Sequence, residues 1–451
     1  MFTINSYNNQ QFIDWFRLAS PYIHAHRGRT FVISFGGEAI QSTDFSNLTH
    51  DIALLSSLGV RLVLVHGIRP QIEQYLQLRG ETTCYKEGLR ITDETALQCV
   101  KAACGEVSTH VIAHLSVGLT NSPSLQAQID IVSGNFITAR PLGVINGTDY
   151  CYTGEVRRVN AAAIKHHLDN GAIVLISPIG YSPTGEAFNL LTENVATEVA
   201  IALRAAKWIC LSETEYLLDE QAQLIRQLTV LEAKKLLTQL NTERSKENNQ
   251  SVNEQYRQLS NAVRACQSGV QRVHLINRNI EGGLLLELFS RDGIGTLVSV
   301  DAFEHIRKAT IEDIGGLLEL MEPLETAGIL VRRSREKLEV EIDYFTLQER
   351  DGMIISCAAL YPFLAEKMAE LACFIVHPHY RGENRGDILL AFLEREAQER
   401  GIQQIFVLTT HTAHWFQERG FVQTNIDALP VTRRNLYNYQ RKSKVFIKQL
   451  L

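Results

Sequence analysis

The strongest constraint on the fold is a series of short, unbroken apolar runs, each followed by a segment with helical spacing. TFVISF at 30–35, RLVLVH at 61–66, IVLIS at 173–177 and WICL at 208–211 place apolar residues at consecutive positions. A strand with one wet face alternates apolar and polar residues. A strand covered on both faces does not, so these runs read as interior strands of a parallel sheet. Segments 45–58, 70–79, 161–170 and 194–206 have the spacing of crossover helices. Repeated strand–helix alternation predicts an α/β block: an open, mainly parallel sheet with helices on both faces, over residues 27–298 behind an N-terminal helix in 1–26.

Beyond a connector placed at 299–305 the order of elements changes. IRKATIEDIGGLLELMEPLE, from Ile306, reads as a strand and then a helix entered at Glu312 and Asp313, because acidic groups suit a helix N-terminus. Segments 344–350, 352–361 and 368–376 read as consecutive antiparallel strands, followed by a helix at 387–400, a strand at 404–408 and a short helix ending at Gly420. This predicts a separate α+β domain over 306–451. The stretch 240–258, LNTERSKENNQSVNEQYRQ, is polar and reads as a solvated helix or mobile loop.

Bulk properties narrow the function. A net charge of −6 argues against nucleic acid or an anionic membrane as the main partner. No run of about 18 apolar residues occurs, so no membrane span is expected. The start, MFTINSYNNQQFIDWF, lacks the basic-then-apolar order of a secretory leader. The eight cysteines (Cys84, Cys99, Cys104, Cys151, Cys210, Cys266, Cys357 and Cys373) form no C-x-x-C pair. No metal site or disulfide framework is expected, and a reducing cytoplasm is.

The segment 370–386, ELACFIVHPHYRGENRG, carries the chemistry. A strand enters a loop holding Arg381, Gly382, Asn384, Arg385 and Gly386, and a helix begins at once. Loop amides and the helix dipole then converge on one point, which suits a pyrophosphate, with Arg381 and Arg385 able to add charge-assisted contacts. V-H-P-x-Y-R-x-x-x-R-G-D-x-L-L resembles motif A of the GNAT acetyltransferases, R/Q-x-x-G-x-G/A. Arg381 stands at the first place, Asn384 at the middle glycine and Gly386 at the last; Asn tolerates left-handed backbone angles. TAHWFQERGF at 412–421 resembles the family's A-x-x-L-Y-x-x-x-G-F, with Phe416 where many members carry the tyrosine that protonates the leaving thiolate.

The resemblance implies a GNAT domain using acetyl-CoA, bound by Cys373, Ile375, Arg381, Gly382, Asn384, Arg385 and Gly386. It also implies a strand bulge whose backbone N–H, that of Cys373 or a neighbour, meets the thioester carbonyl. Transfer in this family is direct, so the Cys373 thiol is not needed as a nucleophile. Glu370 is the candidate proton acceptor and Thr409 the candidate donor to the leaving sulfur.

The first block resembles the amino-acid kinases, in particular the acetylglutamate kinases. FVISFGGEA at 31–39 matches their strand and K-x-G-G loop, and VHGIRP at 65–70 and VSGNF at 132–136 sit at their acyl-amino-acid loops. Ser34 stands in the place of the lysine, which leaves the transferring phosphoryl charge poorly neutralised. A kinase-like domain fused to a GNAT domain resembles the bacterial N-acetylglutamate synthases, through FGGEAI, RPQI, VSGNFI, LFSRDGIGT, LVRRSRE, AALYPF, HWFQERGF and YNYQRKSK. That resemblance implies L-glutamate as acceptor in the first step of arginine biosynthesis. It places Arg333, Arg441 and Ser443 at the glutamate carboxylates, and an L-arginine effector at Tyr22, His274, Glu287 and Gly293. It further implies a homo-oligomer, a hexamer, in which the helix at 9–22 interlaces between subunits through Phe12, Trp15, Phe16 and Ala19. Two alternatives stay open: a working kinase fused to an acetyltransferase, and an arginine sensor whose GNAT domain is inert or takes protein lysines.

Overall fold

The computed structural model describes residues 6–450 except 87, 118–128, 214–216, 219–222, 247–249, 301–303, 351, 383, 411 and 442. It divides into two compact units, Met1–Asp301 and Ala302–Leu451. Within the connector predicted at 299–305, residues 301–303 lie outside the described residues.

In the first unit an eight-stranded sheet runs in the order Gln227–Thr229, Thr296–Ser299, Arg272–Asn277, Lys207–Ser212, Thr30–Phe35, Arg61–His66, Ile173–Ile176, Ile131–Ser133. Among the described residues the only antiparallel neighbours in this sheet are Arg272–Asn277 and Thr296–Ser299. The four strands expected from the apolar runs lie side by side within the sheet. Their side chains alternate between two cores: Phe31, Ile33, Leu62 and Leu64 enter one, Val32, Val63, Val174 and Trp208 the other. Both faces are covered, which is why these strands carry no polar alternation.

A second, four-stranded sheet joins Ala187–Asn189, Ile179–Tyr181, Ile137–Pro141 and Gly154–Val159. Its strands are short and partly wet, and the apolar-run pattern does not mark them. The polar stretch 240–258 proves to be part of a helix pair, Val230–Lys246 and Gln250–Gln267, and not a mobile loop over its described residues. The second helix buries Leu259, Ala262, Val263 and Cys266. That apolar stripe has helical spacing and starts where the polar stretch ends.

The second unit is a seven-stranded sheet in the order Glu304–Lys308, Phe345–Arg350, Met353–Phe363, Met368–Val376, Gln404–Thr409, Lys444–Gln449, Val422–Thr424. Helix Ile314–Thr326 covers one face, packing with Cys357 and Ala359; helix Arg385–Glu399 covers the other, packing with Ala358 and Leu360. A single 3-10 turn, Ile311–Asp313, precedes the first of these helices and is closed by a reciprocal capping box between Thr310 and Asp313. Among the described residues no helix is long and apolar enough to cross a membrane.

Candidate active site

Two neighbouring strands of the second unit part company. Among the described residues Met368–Val376 and Gln404–Thr409 are its one parallel pair, and their register holds only from Met368↔Gln404 to Glu370↔Phe406. Beyond that point they diverge, while Gln404–Thr409 stays paired along its length with Lys444–Gln449. The cause is a bulge. Ala359 pairs with Ala372 and Cys357 with Ile375, so two residues, Cys373 and Phe374, oppose one. Cys373 takes a left-handed φ of 50°, rare for a non-glycine residue. A cavity of about 560 Å³ opens between the separated strands, lined by residues 371–376, by 407–410 and by the loop that follows the bulged strand.

That loop holds the expected glycine-rich turn. Gly382 has φ 96° and Asn384 φ 56°, and Asn384 caps the Arg385–Glu399 helix with left-handed backbone. Asn thus does what the middle glycine of the motif does. Arg381 lines the cavity, with its Nε donating to the Val376 carbonyl at 3.2 Å.

Two site expectations change in their reason. Arg385 does not offer an unengaged cation: its guanidinium donates to Glu304 through Nε at 3.0 Å and Nη2 at 2.8 Å, so its side chain is engaged within the protein. Gly386 is glycine because of Trp415, since a Cβ there would lie 2.9 Å from the indole Cζ2. Trp415 in turn carries the Arg419 guanidinium 3.9 Å above its ring, and Arg419 pairs with Asp387 in the first turn of the helix. Sequence reasoning missed Trp415, Arg419 and Glu304; only their spatial neighbours reveal them.

Around the bulge, Arg333 lies against the Cys373 sulfur, and its Nε is 3.6 Å from Glu341, which also accepts from the Tyr361 hydroxyl at 2.6 Å. Burial pushes the Cys373 thiol up to about 11, against the opposing pull of Arg333. It is therefore a neutral thiol at physiological pH. Arg441 donates to the carbonyl of Ile329, a cavity residue, and so comes to the same loop as Arg333. Ser443 gives its carbonyl to the Tyr437 hydroxyl at 2.6 Å. Thr409 Oγ1 is 2.9 Å from Thr412 Oγ1, and both line the cavity.

Phe416 is buried against Phe374, Trp415 and Phe421 and has no proton to give. Glu370 is buried but is not among the cavity-lining residues, and both its oxygens accept from Arg433, which the sequence reading did not single out.

In the first unit Ser34 is committed to the sheet, accepting from the Trp208 indole N–H at 3.0 Å. The adjoining cleft of about 350 Å³ is lined by Gly36 and Gly37 but also by Glu38, Glu193 and Glu254, with Arg69 among them. Those carboxylates oppose a nucleotide phosphate.

Elsewhere in this unit His274 and Glu287 form a buried pair, Nδ1 to Oε1 at 2.6 Å, while Lys207 Nζ is 3.1 Å from His274 Nε2. Burial, then the Lys207 charge, lowers the His274 ring to about 4, so it is neutral at pH 7. Burial pushes the Glu287 carboxyl up. The His274 hydrogen bond and the amides of Gly295 and Ile294, at 2.8 and 2.6 Å, outweigh that and bring it to about 2. Gly293 has φ 59°, and a Cβ there would meet Glu287 Oε2 at 2.5 Å. Helix Ser6–His26, which carries Tyr22, packs on Gly283–Phe289, where His26 Nε2 bonds the Leu288 carbonyl at 2.8 Å. His274, Glu287 and Gly293 thus meet at one point, beside the helix that bears Tyr22.

A bulged, splayed strand pair ending in a glycine turn at a helix start is the core of an N-acetyltransferase of the GNAT class. Comparison with known proteins agrees. The amino acid kinase family matches residues 29–277, and the acetyltransferase (GNAT) domain matches 341–423. The amino-acid acetyltransferase of Escherichia coli (strain K12) is 49% identical over 440 residues, 98% of each chain. The N-acetylglutamate synthase of Neisseria gonorrhoeae, solved with coenzyme A and L-arginine, is 38% identical with a TM-score of 0.86, covering 97% of this chain and 99% of its own. The same enzyme solved with coenzyme A and N-acetyl-glutamate gives a TM-score of 0.61 over 98% and 99%. The chain belongs to the amino-acid acetyltransferase family and is an amino-acid N-acetyltransferase.

Proposed function

We propose that this chain transfers the acetyl group of acetyl-CoA to the α-amino group of L-glutamate, giving CoA and N-acetyl-L-glutamate, the first step of arginine biosynthesis. The observation that carries the reading is the divergence of the two parallel strands at the Cys373 bulge, with the 381–386 turn at its end. The separated strands leave backbone groups for the amide-bearing pantetheine arm. Gly382, Asn384 and the first-turn amides of Arg385 and Gly386 receive the pyrophosphate, with Arg381 beside them and Ile375 along the arm.

The chemistry follows from these positions. The amine attacks when neutral. As the tetrahedral intermediate forms, its oxygen accepts from the backbone N–H at Cys373, a preorganised donor that needs no reorganisation. Glu370 takes the amine proton through water. The leaving thiolate receives a hydrogen bond from Thr409. Arg333 and Arg441, with Ser443, hold the two carboxylates; a guanidinium matches a carboxylate in a bidentate way. The Neisseria gonorrhoeae relative solved with coenzyme A and N-acetyl-glutamate supports glutamate as the acceptor.

L-Arginine binds the first unit and inhibits. Glu287 pairs with its guanidinium, His274 and Gly293 shape the site, and Tyr22 covers it. The relative solved with L-arginine supports this reading. Subunits associate through helix Ser6–His26, a reading supported by the exposure of Phe12, Trp15 and Phe16; Ala19, expected on the same face, is instead buried within its own chain.

The test is CoA release with each of the twenty amino acids as acceptor. Glutamate is preferred to glutamine by more than about tenfold in kcat/KM, since a lost charge-assisted contact costs more than about 1.4 kcal/mol. Glutamine turnover within that margin refutes the carboxylate pocket. Arginine dose–response curves for wild type and Glu287→Ala test the regulation, with inhibition weakened at least about tenfold in the variant. Superimposable curves remove Glu287 from the effector site.

A further inference from the structure

One carboxylate in the second unit is bound into the cofactor loop from outside it. Glu304, on the edge strand Glu304–Lys308, accepts from Arg385 Nε at 3.0 Å and Nη2 at 2.8 Å, and from Arg350 Nη1 at 2.6 Å. Arg385 is buried and is the first residue of the Arg385–Glu399 helix. Its Nη1 also donates to the Tyr380 carbonyl at 3.3 Å, and its guanidinium lies 5.1 Å from the Tyr380 ring centroid. Tyr380 stands at the entry of the turn and Arg385 at its exit. One guanidinium therefore ties both ends of the turn together, and Glu304 anchors that guanidinium to the sheet.

We propose that Glu304 is a positioning residue for cofactor binding: through Arg385 it fixes the turn and the first helical amides in the geometry that receives the pyrophosphate. The inference rests on the acetyl-CoA reading above. Among its described residues the turn contains two left-handed ones, Gly382 at φ 96° and Asn384 at φ 56°. A backbone of that kind has competing conformations, and amides scattered among them pay an ordering cost when an anion binds. Clamping both ends removes that cost before the ligand arrives. Burial raises the Glu304 carboxyl, but donation from Arg385 and Arg350 outweighs it and holds it below the usual carboxylate range. The clamp is therefore ionic at neutral pH.

The test uses the full chain. Glu304→Gln keeps the size and removes the charge; Glu304→Asp keeps the charge. CoA affinity is read by titration calorimetry, and kinetics are measured with each substrate varied. For Glu304→Gln the CoA Kd and the acetyl-CoA KM rise by about tenfold, while kcat and the glutamate KM stay within about twofold. Glu304→Asp recovers part of the loss. Arg385→Lys, which loses the fork but not the charge, shows a similar rise, and the double variant with Glu304→Gln is no worse than either alone. If Glu304→Gln does not fold, Arg385→Lys carries the test by the same split between cofactor and acceptor constants.

An unchanged CoA Kd overturns the proposal. So does a parallel loss of kcat and both KM values with a lowered unfolding midpoint, the mark of an ordinary structural ion pair. A wild-type chain that binds no CoA overturns the underlying cofactor reading instead.

Discussion

Gly386→Ala is the sharpest probe of the cofactor loop. The new methyl would sit 2.9 Å from Trp415 Cζ2 and 3.6 Å from Cη2, with Phe374 Cε1 at 3.7 Å. Ordinary carbon contacts lie at about 3.5–4.0 Å, so the ring or the helix start must move by more than about half an ångström. Trp415 cannot slide freely. It is packed edge-on to Phe416 with centroids 5.0 Å apart, and Arg419 lies over it. Overpacking of this kind costs about 1–3 kcal/mol. The strain falls on the first helical turn, where the amides meet the pyrophosphate. If it is drawn from cofactor binding, the CoA Kd rises by about 5–150-fold.

The assay is calorimetric titration of CoA into wild type, Gly386→Ala, Trp415→Phe and the double variant. Cζ2 and Cη2 belong to the outer indole ring, which phenylalanine lacks in that position. The double variant should therefore recover most of the affinity. A Gly386→Ala Kd within about twofold of wild type, or no recovery in the double variant, would show that the loop is indifferent to Trp415.

Cys373→Ala should retain kcat within about threefold, because a thiol held near 11 has fewer than about one molecule in a thousand ionised at pH 8 and the N–H it contributes belongs to the backbone; loss of activity by orders of magnitude would make the sulfur a reactant. Arg433→Met should lower the unfolding midpoint more than Glu370→Gln does, by about 3 kcal/mol or more in stability, because it strands a buried carboxylate. The Glu370→Gln variant should also lose kcat by about a hundredfold or more, the usual contribution of a positioned base; a kcat within about threefold of wild type means that Glu370 is not the proton acceptor. The first unit should weaken in acid. Unfolded histidine binds its proton near 6.5 while buried His274 refuses it until about 4, so stability is full above about pH 6.5 and falls as the pH drops through that window. Glu287, at 4.5 unfolded and about 2 folded, extends the loss toward lower pH. Thermal melts of His274→Gln should show a flatter dependence between pH 6.5 and 4; an identical slope would assign the loss to other groups.

Much of this molecule is legible in one dimension because its governing forces are local or periodic. Thr30–Phe35 and Arg61–His66 declare themselves because a strand buried on both faces has no polar position to spare. The 381–386 turn declares itself because left-handed backbone admits few residue types, and Gly382 and Asn384 are among them. The place of Ser34 is plain only through the resemblance of FVISFGGEA to the kinase loop, which carries a lysine there. What the chain could not reveal were relations between residues far apart in sequence. The reason for Gly386 is Trp415, the partner of Glu370 is Arg433, and the guanidinium of Arg385 belongs to Glu304, 81 positions away. The motif that named Arg385 reports a residue type. Whether that side chain faces a ligand or a carboxylate depends on which strand the sheet places beside it, and side-chain charge is spent wherever the nearest opposite charge is buried. Local propensity and pattern therefore determined the elements and the turn; only tertiary packing decided which of the charged groups remain available for chemistry.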